Sequence, residues 1–129
     1  VPRDTSARVA AVARLLREDA GPTRERLGAL GELSRAGREA LLSGQMASLG
    51  SLFNRAQELL AELGLSTPEI DRLCLLARRA SAAGAKLTGA GGGGAVIAIG
   101  NEAQVVEAWR VAGFEAMVLN VGCQQCSRA

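Results

Sequence analysis

The stretch GAKLTGAGGGGAVIAIG, running from Gly84 to Gly100, decides how this chain is read. Five of the six positions from Gly89 to Gly94 are glycine, and short apolar runs lie on both sides. Each glycine gives up more backbone freedom on ordering than any other residue. A chain tolerates such a run only where the backbone takes positive φ or comes very close to something else. Linker glycines mix with serine and other polar residues. Here the flanks are Ala85, Leu87 and Thr88 before, and Ala95, Val96, Ile97, Ala98 and Ile99 after. That is buried-strand composition. The segment predicts a tight loop between two core strands, able to aim several N–H groups at one anion.

Two familiar glycine signatures do not apply. A Walker loop needs a lysine after its glycines at the start of a helix, whereas Lys86 precedes these. Gly89-x-Gly91-x-x-Gly94 fits the dinucleotide fingerprint arithmetically. That fingerprint must open a helix, and Ala95 to Ile99 has the pattern of a strand.

Composition bounds the rest. A chain of 129 residues is one domain, 1–129, long enough to bury a real core. Apolar residues make up 48% and charged residues 22%, ordinary globular values. Aromatics are only 2%, with no tyrosine, so the core is aliphatic and lacks the stacking platforms of single-strand nucleic-acid binders. A net charge of +2 sets up no strong field, and no nucleic-acid partner is expected. Histidine is absent, so acid–base chemistry falls to carboxylates, lysine or cysteine. No apolar run approaches the roughly 18 to 20 residues of a membrane span, and no signal-peptide h-region is visible. The expectation is a cytoplasmic chain with no membrane partner.

The three cysteines split into two cases. Cys74 sits at an apolar helix position and reads as core. Cys123-Gln-Gln-Cys126 is a C-x-x-C in the tail, without the further ligands that a closed zinc site needs.

Outward from the glycines, helical periodicity dominates. Thr5 to about Glu18 carries Val9, Val12, Ala13 and Leu16 on one stripe, with Asp4 or Thr5 as cap. Gly21-Pro22-Thr23 breaks the pattern, and Thr23 is expected to cap a second helix bearing Leu27, Leu30, Leu33 and Leu41. A third helix spans about Gln45 to Leu63, with Met46, Leu49, Phe53, Ala56, Leu60 and Leu63 on one face. Ser66-Thr67-Pro68-Glu69 starts a fourth with a capping-box pattern that leaves the cap itself open. Its buried stripe is Ile70, Leu73, Cys74 and Ala77. After strand Ala85–Thr88, the loop and strand Ala95–Ile99, Asn101 caps a fifth helix with Val105, Trp109 and Ala112. Phe114 to Val121 reads as a last strand. This order predicts an α+β fold of ferredoxin-like kind, with helices on one face of a small, mostly antiparallel sheet. A further strand is expected before Val1, which points to a truncated start.

Four segments, in order and spacing, resemble the GHMP small-molecule kinases. KLTGAGGGGAVIAI, from Lys86 to Ile99, is similar to the family's third conserved motif. Val1-Pro2-Arg3-Asp4-Thr5 resembles the V-P-R-x-T that opens the C-terminal half. Leu63-Gly64-Leu65-Ser66, continuing to Asp71-Arg72-Leu73, resembles an L-G-x-S-x-x-x-[LI]-D-x-L helix start. Phe114 to Gly122 resembles the final strand. The second and third segments narrow the likeness to the mevalonate kinases. The tail from Cys123 to Cys126 matches no family feature.

The resemblance implies a GHMP kinase C-terminal domain that uses ATP and Mg2+ and takes mevalonate to 5-phosphomevalonate. The phosphate loop of P-x-x-x-G-L-G-S-S-A type, the catalytic aspartate, its lysine and the acidic Mg2+ ligand are absent from this chain. They belong to the N-terminal half, the first partner implied; a homodimer is also allowed. No catalytic residue is therefore expected here, and the chain alone should not transfer phosphoryl groups. Gly89, Ala90, Gly91, Gly92 and Gly93 would line the cleft opposite ATP, or else merely permit a tight turn. Thr5 would sit near the acceptor and γ-phosphate, or cap its helix, or both. Thr88 would orient the loop or simply fill a strand position. Ser66 and Asp71 lie at a helix start whose dipole favours anions; a plain cap and a solvated carboxylate are the other readings. Lys86 and Arg3 are candidate phosphate partners, with an exposed strand position the alternative for Lys86. The competing functions are another GHMP kinase, acting on phosphomevalonate or a sugar, and a stand-alone ferredoxin-like ligand-binding or regulatory module.

Overall fold

The computed structural model describes residues 5–89, 91, 92 and 94–120. Its elements run α1 (Thr5–Glu18), α2 (Ala20–Leu42), α3 (Met46–Glu62), α4 (Pro68–Arg79), β1 (Gly84–Thr88), β2 (Ala95–Ile99) and α5 (Glu102–Val111). The two strands form an antiparallel pair, with Ala85 opposite Ala98 and Leu87 opposite Val96. Directly opposed residues share a face, so these four side chains point the same way. They pack with Ile70, Cys74 and Ala77 of α4 and with Val105 and Trp109 of α5. The alternate set, with Lys86 opposite Ile97 and Thr88 opposite Ala95, lies on the other face. Ile97 there is 41% exposed, so the strand expected to be fully buried is covered on one side only. The α+β class and the one-sided helical layer are as the sequence predicts.

α3 runs beside β1, and two of its polar side chains close the strand's outer edge. Asn54 Oδ1 accepts the Ala85 N–H at 3.1 Å, and Gln57 Oε1 accepts the Leu87 N–H at 2.8 Å. Spacing of i, i+3 on a helix matches i, i+2 on a strand closely enough for both bonds to form. The close approach rests on glycine: a Cβ at Gly84 would stand 2.6 Å from the Gly50 Cα. Arg26 of α2 holds α3 through Glu62 at 2.9 Å, and the Trp109 indole N–H holds α5 to the Leu73 carbonyl at 2.9 Å.

Several expectations are corrected. Thr23 is not a cap. The helix begins at Ala20 with Asp19 at the cap position, Pro22 falls in the first turn where it is tolerated, and the buried Thr23 hydroxyl donates to the Leu15 carbonyl. Met46 is 40% exposed, while Leu59 is buried in its place on α3. Residues 114–120 form no strand. Phe114 and Ala116 fold back onto α5 instead: the Phe114 N–H donates to the Trp109 carbonyl and Arg110 donates to the Ala116 carbonyl, while residues 117–120 are exposed. Phe114 also lies under the Arg72 guanidinium. A strand exists only through a ladder partner, and β2 pairs with β1 alone among the described residues. Val121, the Cys123–Cys126 tail and the segment from Val1 to Asp4, with Arg3, lie outside the described residues.

Candidate functional site

The glycine loop joins β1 to β2, and its backbone explains its composition. Gly89, Gly91, Gly92 and Gly94 all have positive φ, from +69° to +106°, a region that residues with a Cβ adopt only at a cost. The loop also touches its support. The Gly92 N–H donates to the Leu65 carbonyl at 2.9 Å. A Cβ at Gly91 would fall on that same carbonyl and 2.8 Å from the Leu65 Cβ. Leu65 lies in the turn before α4, whose cap is Thr67: the Thr67 hydroxyl accepts the Ile70 N–H, and Pro68 takes the first turn. The open question of the cap is thereby settled against Ser66.

A third element reaches the loop. The Arg8 guanidinium, from α1, lies against Gly92, with Nη2 2.6 Å from where a Gly92 Cβ would stand. Glycine backbone, a cation and the turn before a helix thus converge on one patch. Thr5, exposed at the start of α1, is one turn before Arg8 on the same helix. Thr88 is half-buried at the end of β1, Gly89 is exposed, Gly91 is buried and Gly92 is half-buried. Ala90 and Gly93 lie outside the described residues. Ser66 donates to the Asp71 carboxylate at 2.6 Å and accepts from Gln57 Nε2 at 3.0 Å. These two residues therefore join the loop's support through Leu65, next to Ser66 in the chain.

Lys86 is not the exposed side chain expected. It is half-buried, with its ammonium 5.8 Å from the centre of the Phe53 ring and bonded to the Leu87 carbonyl at 2.7 Å. Burial lowers its pKa, opposed by the Cys74 thiol. Cys74 is 1% exposed, as expected of a core residue. Burial first of all, with Asp71 adding, pushes its thiol up to about 11 against the pull of Arg78 and Lys86.

Sequence reading missed Arg8 and Gln57. Arg8 carries a faint signal, three residues after Thr5 and so on the same helical face. Gln57 carries a better one: it is a carboxamide among the apolar positions of α3, and buried polar groups are there to be bonded.

Comparison with known proteins agrees with this architecture. The family described as GHMP kinases C terminal matches residues 38–116. This chain belongs to that family. As a GHMP kinase C-terminal domain, it has curated relatives among the mevalonate kinases. It is 40% identical over 102 residues to the mevalonate kinase of Pyrococcus horikoshii, an alignment covering 74% of this chain and 30% of that protein. It is 45% identical over 73 residues to the mevalonate kinase of Aeropyrum pernix, covering 57% of this chain and 22% of the relative. The chain therefore spans less than a third of either relative's length. The crystal structure of the Methanococcus jannaschii mevalonate kinase aligns with a TM-score of 0.69 at 30% identity, over 84% of this chain and 32% of that one. That of L. major mevalonate kinase in complex with R-mevalonate gives 0.82 at 23% identity over 86% and 35%, a likeness of fold.

The residues present suit one part of the chemistry that kinases use. Side-chain-free backbone beside an arginine fits a phosphate group. Among the described residues no group of three or more Asp, Glu or Cys side chains is placed to hold a metal ion. No helix among the described residues is long and apolar enough to cross a membrane.

Proposed function

We infer that this chain is the C-terminal domain of a mevalonate kinase and forms one wall of the cleft in which phosphate passes from ATP to the mevalonate hydroxyl. One observation carries the reading. The loop of positive-φ glycines is seated on Leu65 with the Arg8 guanidinium laid against Gly92. Phosphoryl transfer depends on positioning and charge stabilisation more than on covalent chemistry. ATP supplies the phosphoryl group, and Mg2+ held by an N-terminal half neutralises its charge.

On this reading the chain's own residues orient and exclude. Gly91 and Gly92 seat the loop on Leu65 and beside Arg8, where a side chain would lift it toward the phosphates, and exposed Gly89 leaves them room. Arg8 adds a charge-assisted donor. Thr5 stands on the acceptor side, and Thr88 fixes the loop's entry. Ser66 and Asp71 hold the segment beneath the loop. Catalysis belongs to the two halves together, in the cytoplasm.

The test is phosphoryl transfer by a two-domain protein carrying this chain behind an N-terminal half with the G-L-G-S-S-A loop. Mevalonate-dependent ADP release is expected from that protein and not from the 129-residue chain alone. Turnover with phosphomevalonate or a sugar in place of mevalonate would reassign the acceptor. Robust turnover by the isolated chain, or none by the two-domain protein with any acceptor, would overturn the reading.

A further inference from the structure

We propose that Gln57 is a positioning residue of the glycine loop, fixing the strand that enters the loop relative to the segment on which the loop rests. Gln57 is 5% exposed on α3. Its Oε1 accepts the Leu87 N–H at 2.8 Å, one residue before Thr88, and its Nε2 donates to Ser66 Oγ at 3.0 Å. Next to Ser66, the Leu65 carbonyl accepts the Gly92 N–H at 2.9 Å. The circuit closes: Leu87 to Gln57 to Ser66, along the chain to Leu65, across to Gly92, and back through the loop. The strand entering the loop and the loop's own backbone are thus referred to the same short segment, one through a side chain and the other directly.

The circuit admits one orientation. Ser66 spends its proton on the Asp71 carboxylate at 2.6 Å, so toward Gln57 it can only accept. Gln57 must then present Nε2 to Ser66, which leaves Oε1 for Leu87. A flipped amide would set its own N–H against the Leu87 N–H, donor against donor. Asp71 therefore orients Ser66, and Ser66 orients Gln57. A residue serving only to fill volume needs no such polarity; leucine or methionine would do. What the carboxamide adds is a set distance between β1 and the turn before α4, where the loop finds its seat.

Amide exchange in the 129-residue chain tests the placement, and kinetics of the two-domain protein tests its consequence, which alone rests on the kinase reading. Gln57→Met removes both bonds at similar volume. It should speed exchange at the Leu87 and Gly92 amides about tenfold while leaving the Cys74 and Ala77 amides of α4 nearly unchanged. Gln57→Glu keeps the acceptor for Leu87 but sets a carboxylate against Ser66 Oγ, whose proton is committed to Asp71, so it should restore protection at Leu87 and not at Gly92. In the two-domain protein, Gln57→Met should lower kcat about tenfold with KM for ATP nearly unchanged, because a displaced loop harms alignment more than binding. Gln57→Glu, which lacks the donor to Ser66, should recover little of kcat. Unchanged exchange at Gly92, or equal acceleration throughout α4, would overturn the inference; so would faster loop exchange with kcat intact. If Gln57→Met does not fold, Ser66→Ala cuts the same circuit at a half-buried position, with the same outcomes expected. A wild-type two-domain protein without any transferase activity would defeat the kinase reading and leave the exchange result to decide on Gln57.

Discussion

Gly50 of α3 and Gly84 of β1 meet backbone to backbone: a methyl on Gly84 would stand 2.6 Å from the Gly50 Cα and nearer still to its carbonyl. Helix and strand approach this closely only because neither residue has a side chain. Gly50→Ala and Gly84→Ala should each cost about 1–3 kcal/mol of stability, the usual penalty for overpacking a tight contact. Gly28 is the control. It lies in a helix with nothing within 4 Å of its absent Cβ, so Gly28→Ala should gain about 0.5–1 kcal/mol. Urea unfolding of the three variants checks both signs.

Gly91→Val should leave the domain folded and remove activity. The residue has φ +87°, and its Cβ would strike the Leu65 carbonyl. The loop must lift off Leu65, and a displacement of about 1 Å at a transfer site costs about a hundredfold. Circular dichroism of the chain and kcat/KM of the two-domain protein are the two measurements. Activity within a factor of about two of wild type would reduce the glycines to a turn.

Arg8→Gln should lower kcat/KM about tenfold, the loss of one charge-assisted contact. It should also flatten the dependence of activity on ionic strength, since a partly exposed cation is screened by salt. Identical salt profiles for the two proteins would remove Arg8 from the anion site.

Cys74 should resist alkylation at pH 8 in the folded chain and react once the chain is unfolded in urea. Its pKa stands at about 11 against an ordinary 9.0, so the nucleophilic thiolate is scarce as well as inaccessible. The sign for stability follows. Above the ordinary value the unfolded chain loses this proton first, so Cys74 makes stability fall as pH rises from 9.0 toward 11. Lys86 works the other way. Its lowered pKa means that the unfolded chain holds the extra proton between the folded value and 10.5, so its contribution rises with pH there. The slope above pH 9 should therefore steepen downward in Lys86→Met and flatten in Cys74→Ala. Thermal unfolding across that range checks both, with Cys123→Ser and Cys126→Ser in the background.

What the sequence revealed was local. Five helices, both strands and the positive-φ loop follow from periodicity and from glycines placed where a strand should continue. The start of α4 was half legible: Ser66 and Thr67 both suit a cap, and only the fold shows that Ser66 is engaged with Gln57 and Asp71. Thr23 misled because Pro22 reads as a break, although a proline in a first turn is equally a beginning. The strand expected from Phe114 misled over residues 114–120 because strand composition says nothing about whether a partner edge is at hand. Arg8, Gln57 and the Gly50–Gly84 contact were out of reach. Each joins elements far apart in the chain, and no single window of sequence holds both ends.

The amides of Asn54 and Gln57 occupy the hydrogen-bonding positions along β1 that another strand would need. Edge-on recruitment is blocked there, leaving the flank of β2 as the one side open to it among the described residues. An assembly built by such recruitment stops at two: a pair of copies joined flank to flank has no vacant side left. Two side chains on a neighbouring helix thus close one of the two flanks through which open-ended fibres of a bare sheet would grow.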